Sequence, residues 1–190
     1  RLVHLLADSG QKPDALLLTR ERFTAHESIT QSSITLDGSE NASVQFASCC
    51  RPIPGDSIVG YLGRGEGLVV HVHDCAVAKK LLYKDSERFI NVDWSDEPVR
   101  PFETGVMVTA KNGKGLLAKV AVALAAAEAD IVHIDMGSEG AQEEVDFRFI
   151  VSVRDTAHLA LVLRNLSRTA SVIRAERRKV AMPSYAGGGF

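Results

Sequence analysis

All three cysteines of this 190-residue chain fall between positions 49 and 75. They stand in Cys49-Cys50-Arg51-Pro52-Ile53-Pro54-Gly55-Asp56 and in His71-Val72-His73-Asp74-Cys75. Thiolate and imidazole are the preferred ligands of zinc, and a closed structural site takes four of them in a tetrahedron. Cys49, Cys50, His71 and Cys75 supply that number, provided the fold brings both ends of the stretch together. Adjacent cysteines on an extended chain point to opposite sides, so a turn has to intervene. Pro52 and Pro54-Gly55 are the residues expected to make it. His71 and His73 share one face of a strand, so the residues alone leave either as the ligand. Asp74 is expected to cap a helix whose first turn holds Cys75, where the helix N-terminus favours thiolate. Two alternatives stand beside structural zinc: metal-free packing of the cysteines as small hydrophobes, and a redox-sensitive cluster. A catalytic zinc fits worse, because it needs an open coordination position.

The bulk composition excludes several classes. Hydrophobic residues make up 45% of the chain and the net charge is −2, which suits one or two small domains with real cores and no global nucleic-acid-binding field. No apolar run approaches the roughly 18 residues of a membrane span. An odd cysteine number with two adjacent argues against a secreted disulfide framework and for a reducing, cytoplasmic setting. The chain opens at Arg1 inside an apparent helix end, 2–7, and reads as a piece of a longer protein.

Residues 1–39 read as that helix end, a second helical piece over 15–24 and a polar linker over 27–41. Residues 40–95 read as a β-rich cysteine domain: short strands around Val44–Phe46, Ile58–Leu62 and Leu68–Val70, a helix through Leu82, and one strand from Arg88 to Trp94. The run Gly63-Arg64-Gly65-Glu66-Gly67 is expected to close a hairpin; a phosphate loop would lead into a helix, and a strand follows here. Phe46, Tyr61 and Trp94 lie in alternating patterns and are expected in cores. Residues 98–180 change rhythm. A strand over 105–110, a helix over 115–129, strands over 131–136 and 145–153, a helix from Asp155 to Leu166 and a strand over 170–177 give βαββαβ, the ferredoxin-like plan. Residues 181–190 end in three glycines and read as a disordered tail. The fold class is therefore α+β.

The string Cys49-Cys50-Arg51-Pro52-Ile53-Pro54-Gly55-Asp56, followed by Ile58-Val59-Gly60-Tyr61, Gly65-Glu66-Gly67, His71 and Cys75, resembles the conserved-cysteine or zinc-finger domain of the long RelA/SpoT enzymes, which make and destroy (p)ppGpp. The string, with the opening Leu5-Leu6-Ala7-Asp8, looks closer to the SpoT type. Behind it, the βαββαβ run with Asn112-Gly113-Lys114-Gly115-Leu116-Leu117-Ala118 resembles an ACT domain. The resemblance implies structural zinc on Cys49, Cys50, His71 and Cys75, with the family spacing favouring His71. It implies a regulatory module of a GTP diphosphokinase/(p)ppGpp pyrophosphohydrolase whose catalytic half, with manganese in its hydrolase domain, lies outside this chain. The chain alone is then expected to be inactive, and His73-Asp74 to be unrelated to the hydrolase His-Asp pair.

The resemblance also implies partners: the catalytic domains of the same parent, the ribosome and its RNA, branched-chain amino acids, and a second copy through the ACT or cysteine domain. Arg51 and Arg64 beside the cysteine motif are candidate RNA contacts, and Arg164, Arg168, Arg174, Arg177, Arg178 and Lys179 form a late basic run. A solvated charged face is the plainer account of that run. Asn112, Gly113, Gly115 and Leu116 are candidate contacts for an amino-acid effector, since glycines open backbone amides and a helix N-terminus attracts a carboxylate. An ordinary strand–helix turn is the alternative.

Overall fold

A computed structural model describes residues 33–40, 43–65, 67–137 and 143–179. The helical pieces expected over 2–7 and 15–24 and the tail over 181–190 lie outside the described residues.

The first half is β-rich, as its alternating apolar residues require. Strands β2 (Val44–Phe46), β3 (Ile58–Leu62), β4 (Leu68–Val72) and β5 (Phe89–Ile90) form a sheet in the order β2-β4-β3-β5. β3 and β4 pair antiparallel from Leu62↔Leu68 to Ile58↔Val72, so 63–67 does close a hairpin. Gly67 is needed there twice over: its φ is +76°, and a Cβ would fall 2.2 Å from the Ser43 carbonyl. Helix α1 (Ala76–Lys84) follows β4 directly. Its N-cap is Cys75 rather than Asp74, because β4 ends at Val72 and the turn over 73–74 places Cys75 at the boundary.

Two further expectations need correction. The stretch read as linker contains strand β1 (Ile34–Leu36), which pairs in parallel with β6 (Val92–Trp94). Leu36 is fully buried with Leu68, Val70 and Val92, so one apolar side chain anchors a segment whose composition is otherwise that of a loop. The single strand expected from Arg88 to Trp94 is instead a 3-10 turn over Ser86–Arg88, then β5, then β6 in a different sheet, with the break at Asn91.

The second half is the ferredoxin-like layer. β7 (Phe102–Lys111), α2 (Leu116–Ala126), β8 (Asp130–Met136), β9 (Glu144–Val153), α3 (Thr156–Arg168) and β10 (Val172–Arg178) run in the expected order. The antiparallel sheet has the order β10-β7-β9-β8. β7 and β9 stay in register over ten pairs, Phe102↔Val153 to Lys111↔Glu144. One apolar stripe of each helix faces the sheet: Leu116, Val120 and Leu124 from α2, and Leu159, Val162 and Leu166 from α3. They close over Val106, Val108, Phe147, Phe149 and Val151. Asp155 caps α3 as expected, accepting the His158 amide at 2.7 Å.

The halves meet in a seam. Phe46, Trp94 and Phe102 form an aromatic triangle with ring centroids 5.1–5.6 Å apart, and Arg100 lies over the Phe46 and Phe102 rings. Phe46 and Trp94 are thus half-buried at the junction, while Tyr61 packs on Phe89.

Candidate metal centre

The turn that gathers the thiols lies over the cysteines themselves, not at the prolines. The Ala47 carbonyl accepts the amides of Cys50 and Arg51 at 3.3 and 2.8 Å, and Arg51 takes a left-handed φ of +44°. That backbone aims Cys49 and Cys50 at β4, where His71 sits 4% exposed. His73 lies beyond the strand end, is exposed, and holds the Ser57 carbonyl through its amide, so of the two histidines it is His71 that the fold places beside the thiols. Cys75, at the start of α1, completes the group. The ligand atoms of Cys49, Cys50, His71 and Cys75 all lie within 4.8 Å of one another.

The distances test the fit to a metal. Zinc bonds of about 2.3 Å to sulfur and about 2.0 Å to nitrogen imply tetrahedral edges of about 3.8 Å between two sulfurs and about 3.5 Å between sulfur and nitrogen. Cys49 Sγ is 3.6 Å from Cys75 Sγ and 3.4 Å from His71 Nδ1, and Cys50 Sγ is 3.7 Å from His71 Nδ1. These three of the six edges match, and the Val72 amide donates to Cys50 Sγ at 3.3 Å, a contact that would steady a thiolate ligand. The donor set fits a closed four-coordinate ion.

The local electrostatics prepare the donors unequally. Burial holds the His71 imidazole below its ordinary pKa and so keeps it neutral, the form a metal binds. Burial likewise pushes the Cys49 and Cys50 thiols up, with the neighbouring thiols adding to the effect. Cys75 is the exception. Burial opposes its ionisation too, but the Ala78 and Val77 amides at the head of α1 and the neighbouring thiols bring its pKa below the ordinary value. The metal-free cluster is therefore two thiols held protonated, a third whose ionisation is favoured, and a neutral imidazole, and an entering cation has at least the two held protons to displace.

The other candidate residues are placed apart from this centre. Arg64 is exposed on the β3–β4 hairpin. Arg51 is paired to Glu103 at 2.8 Å, across the seam. Gly113 and Gly115 lie in the exposed β7–α2 turn with open space where a Cβ would be, Gly115 at φ +73°. The Asn112 amide donates to the Glu143 carbonyl at 2.8 Å, and the Leu116 side chain is buried in the core beneath. Of the late basic run, Arg164, Arg168, Arg174, Arg178 and Lys179 are exposed, whereas Arg177 turns inward.

Arg177 is the residue that sequence reasoning missed. Its guanidinium donates to both Asp56 carboxylate oxygens at 2.6 Å, to Thr104 Oγ1 at 3.1 Å and to the Arg51 carbonyl at 3.1 Å. The side chains of the pair, Arg177 and Asp56, are 12% and 6% exposed. The only signal in the sequence was the odd placement of an acid at the end of an otherwise apolar, proline-rich string.

Comparison with known proteins agrees with this architecture. Residues 34–95 match the RelA/SpoT RIS domain and residues 98–177 match the ACT domain. Over 147 residues, 77% of this chain, it is 31% identical to the bifunctional (p)ppGpp synthase/hydrolase SpoT of Escherichia coli K12, covering 20% of that protein. Over 159 residues, 84% of this chain, it is 27% identical to a GTP pyrophosphokinase of Photobacterium angustum, covering 21% of it. The chain thus spans about a fifth of the length of these curated relatives. Among solved structures, the ACT domain from the GTP pyrophosphokinase of Chlorobium tepidum aligns over 41% of this chain and 99% of its own, with 15% identity and a TM-score of 0.37. No helix among the described residues is long and apolar enough to cross a membrane.

Proposed function

The chain belongs to the RelA/SpoT family through its RIS domain, joined to an ACT domain, and on that premise we propose that it is the regulatory module of a cytoplasmic (p)ppGpp synthetase/hydrolase. The observation that carries this reading is the alignment across both domains with about a fifth of SpoT and of GTP pyrophosphokinase, which leaves catalysis to the other segments of such a protein. The module biases the balance of synthesis and hydrolysis by favouring one arrangement of the catalytic half over another, a population shift that needs no chemistry of its own. Zinc on Cys49, Cys50, His71 and Cys75 holds the RIS half in the shape that the catalytic half reads; the matching tetrahedral edges support this.

The test is made in the full-length parent. Cys50→Ser is expected to change the ratio of synthesis to hydrolysis by about 5-fold or more, the lower range of an allosteric coupling. Unchanged rates of both reactions would reject the regulatory reading. Elemental analysis of the untagged chain is expected to give one zinc per molecule, lost in the same variant.

A further inference from the structure

We propose that residues 51–56, the half of the motif that follows the cysteines, are a clamp that makes the RIS and ACT domains fold and move as one body. The default for two domains joined by a short linker is relative motion, because such interfaces are small and polar. Here the loop is instead built into the ACT domain. Ile53 is fully buried and belongs to the ACT core with Phe102, Val153 and Leu159. The Thr156 amide, at the head of α3, donates to the Pro54 carbonyl at 2.9 Å. Gly55, at φ +93°, lies so near Thr156 that a Cβ would stand 2.2 Å from its hydroxyl. No other residue fits that place.

The polar side of the clamp is Asp56. Its carboxylate accepts the Ile53 amide at 2.9 Å, which fixes the loop's own shape, and accepts both arms of Arg177 from β10. A bidentate pair of this kind fixes orientation as well as distance. Arg177 also reaches the Arg51 carbonyl, and Arg51 directly follows the ligand Cys50. The chain from a metal ligand to the ACT sheet is therefore one residue long. The β7–α2 turn with Gly113 and Gly115 lies at the far end of β7, about 30 Å from this seat at strand rise. A change at either place reaches the other along β7 and β10, which are continuous strands of one sheet. This last consequence rests on the regulatory reading; the clamp itself does not.

Calorimetry of the 190-residue chain, with and without added zinc, tests it. The wild type is expected to melt in a single transition. Asp56→Asn with Arg177→Met removes both charges together, so neither is left buried alone, and the introduced asparagine keeps an acceptor for the Ile53 amide. This variant is expected to melt in two transitions, the ACT half separately from the RIS half. If it does not fold, Ile53→Ala attacks the same clamp from its apolar side and is expected to split the melt too. Two transitions in the wild type, or one in every folded variant, would overturn the proposal. The readout does not depend on the metal: a chain that binds no zinc but splits as described keeps the clamp and loses only the zinc reading.

Discussion

The ACT half and the RIS half of this chain are held together by different means. The ACT core is one continuous cluster in which two helices cover a four-stranded sheet, with Phe147, Phe149, Val108, Val120 and Leu166 at or near zero exposure. The RIS half has two small clusters instead, Leu36, Leu68, Val70 and Val92 in one, and Ala47, Cys50, Val72, Cys75 and Ala78 in the other. Two of the five buried residues of the second, Cys50 and Cys75, belong to the candidate metal group. Helix α1 buries little beyond Ala78 and leaves Tyr83 94% exposed. A core of this size does not offset the chain entropy of a domain, and small domains of this kind add a metal or a disulfide. The comparison teaches that a cluster of thiols and an imidazole able to hold a metal stands in the RIS half where apolar area stands in the ACT half.

Removing the metal is the strongest way to break that comparison. Binding free energies of structural zinc run to about 10 kcal/mol or more near neutral pH, and they are folding free energy for a site that does not pre-exist. A chelator or Cys50→Ser is expected to lower hydrogen-exchange protection most across β3 and β4 and, through the clamp, across β9 and α2 as well. Retention of protection in β3 and β4 would show that the two small clusters suffice alone.

The seam gives the next largest effect. Arg177→Met leaves Asp56 buried at 6% exposure without its partner, and breaking a buried pair from one side costs about 3–5 kcal/mol. The urea midpoint should fall accordingly. A loss under about 1 kcal/mol, the scale of a surface pair, would mean that Asp56 reaches water in solution.

How much of this could be read beforehand follows from range. The βαββαβ order was legible because each element carries its own period of apolar residues, and Asp155 announces α3 locally. The gathering of Cys49, Cys50, His71 and Cys75 was legible because thiols are rare and were clustered. The selection of His71 over His73 needed the end of β4, a detail of one residue. Strand β1 was hidden because a three-residue edge strand in a Ser- and Thr-rich stretch has no period to detect, and only Leu36 is buried. Arg177 pairs with a residue 121 positions away, and nothing in a run of six basic residues marks the one that turns inward. His158 was equally silent: buried, it bridges the Ala127 carbonyl through Nε2 at 2.6 Å and accepts the Arg154 amide on Nδ1 at 3.1 Å, joining the ends of α2 and β9.

Acid should separate the halves further. Raised pKa values keep Cys49 and Cys50 protonated in the metal-free fold, so zinc displaces both protons, and its affinity rises with pH. Cys75, with its lowered pKa, gives up its proton more readily than the other two, and His71 is already neutral above its ordinary pKa of about 6.5. Competition with a chromophoric chelator between about pH 6.5 and 8 is expected to show zinc affinity rising about 100-fold per pH unit or more, tenfold for each displaced proton. A slope near zero would mean that the thiols are already ionised, against the burial that raises them.

The smallest effect sharpens the comparison at the one place where a local ACT feature touches the clamp. Asp155 caps the helix whose first residue, Thr156, holds the Pro54 carbonyl. Asp155→Ala removes the acceptor for the His158 amide and should cost about 1 kcal/mol, read as a fall in Tm of a few degrees. Asp155→Asn should recover most of it, because asparagine caps a helix about as well as aspartate does. If the cap only steadies α3, zinc affinity is the same in both variants, and the clamp is carried by Ile53 and the Asp56–Arg177 pair. If zinc affinity falls with the alanine and returns with the asparagine, the head of α3 is part of the seat, and the two halves share a helix end as well as an ion pair.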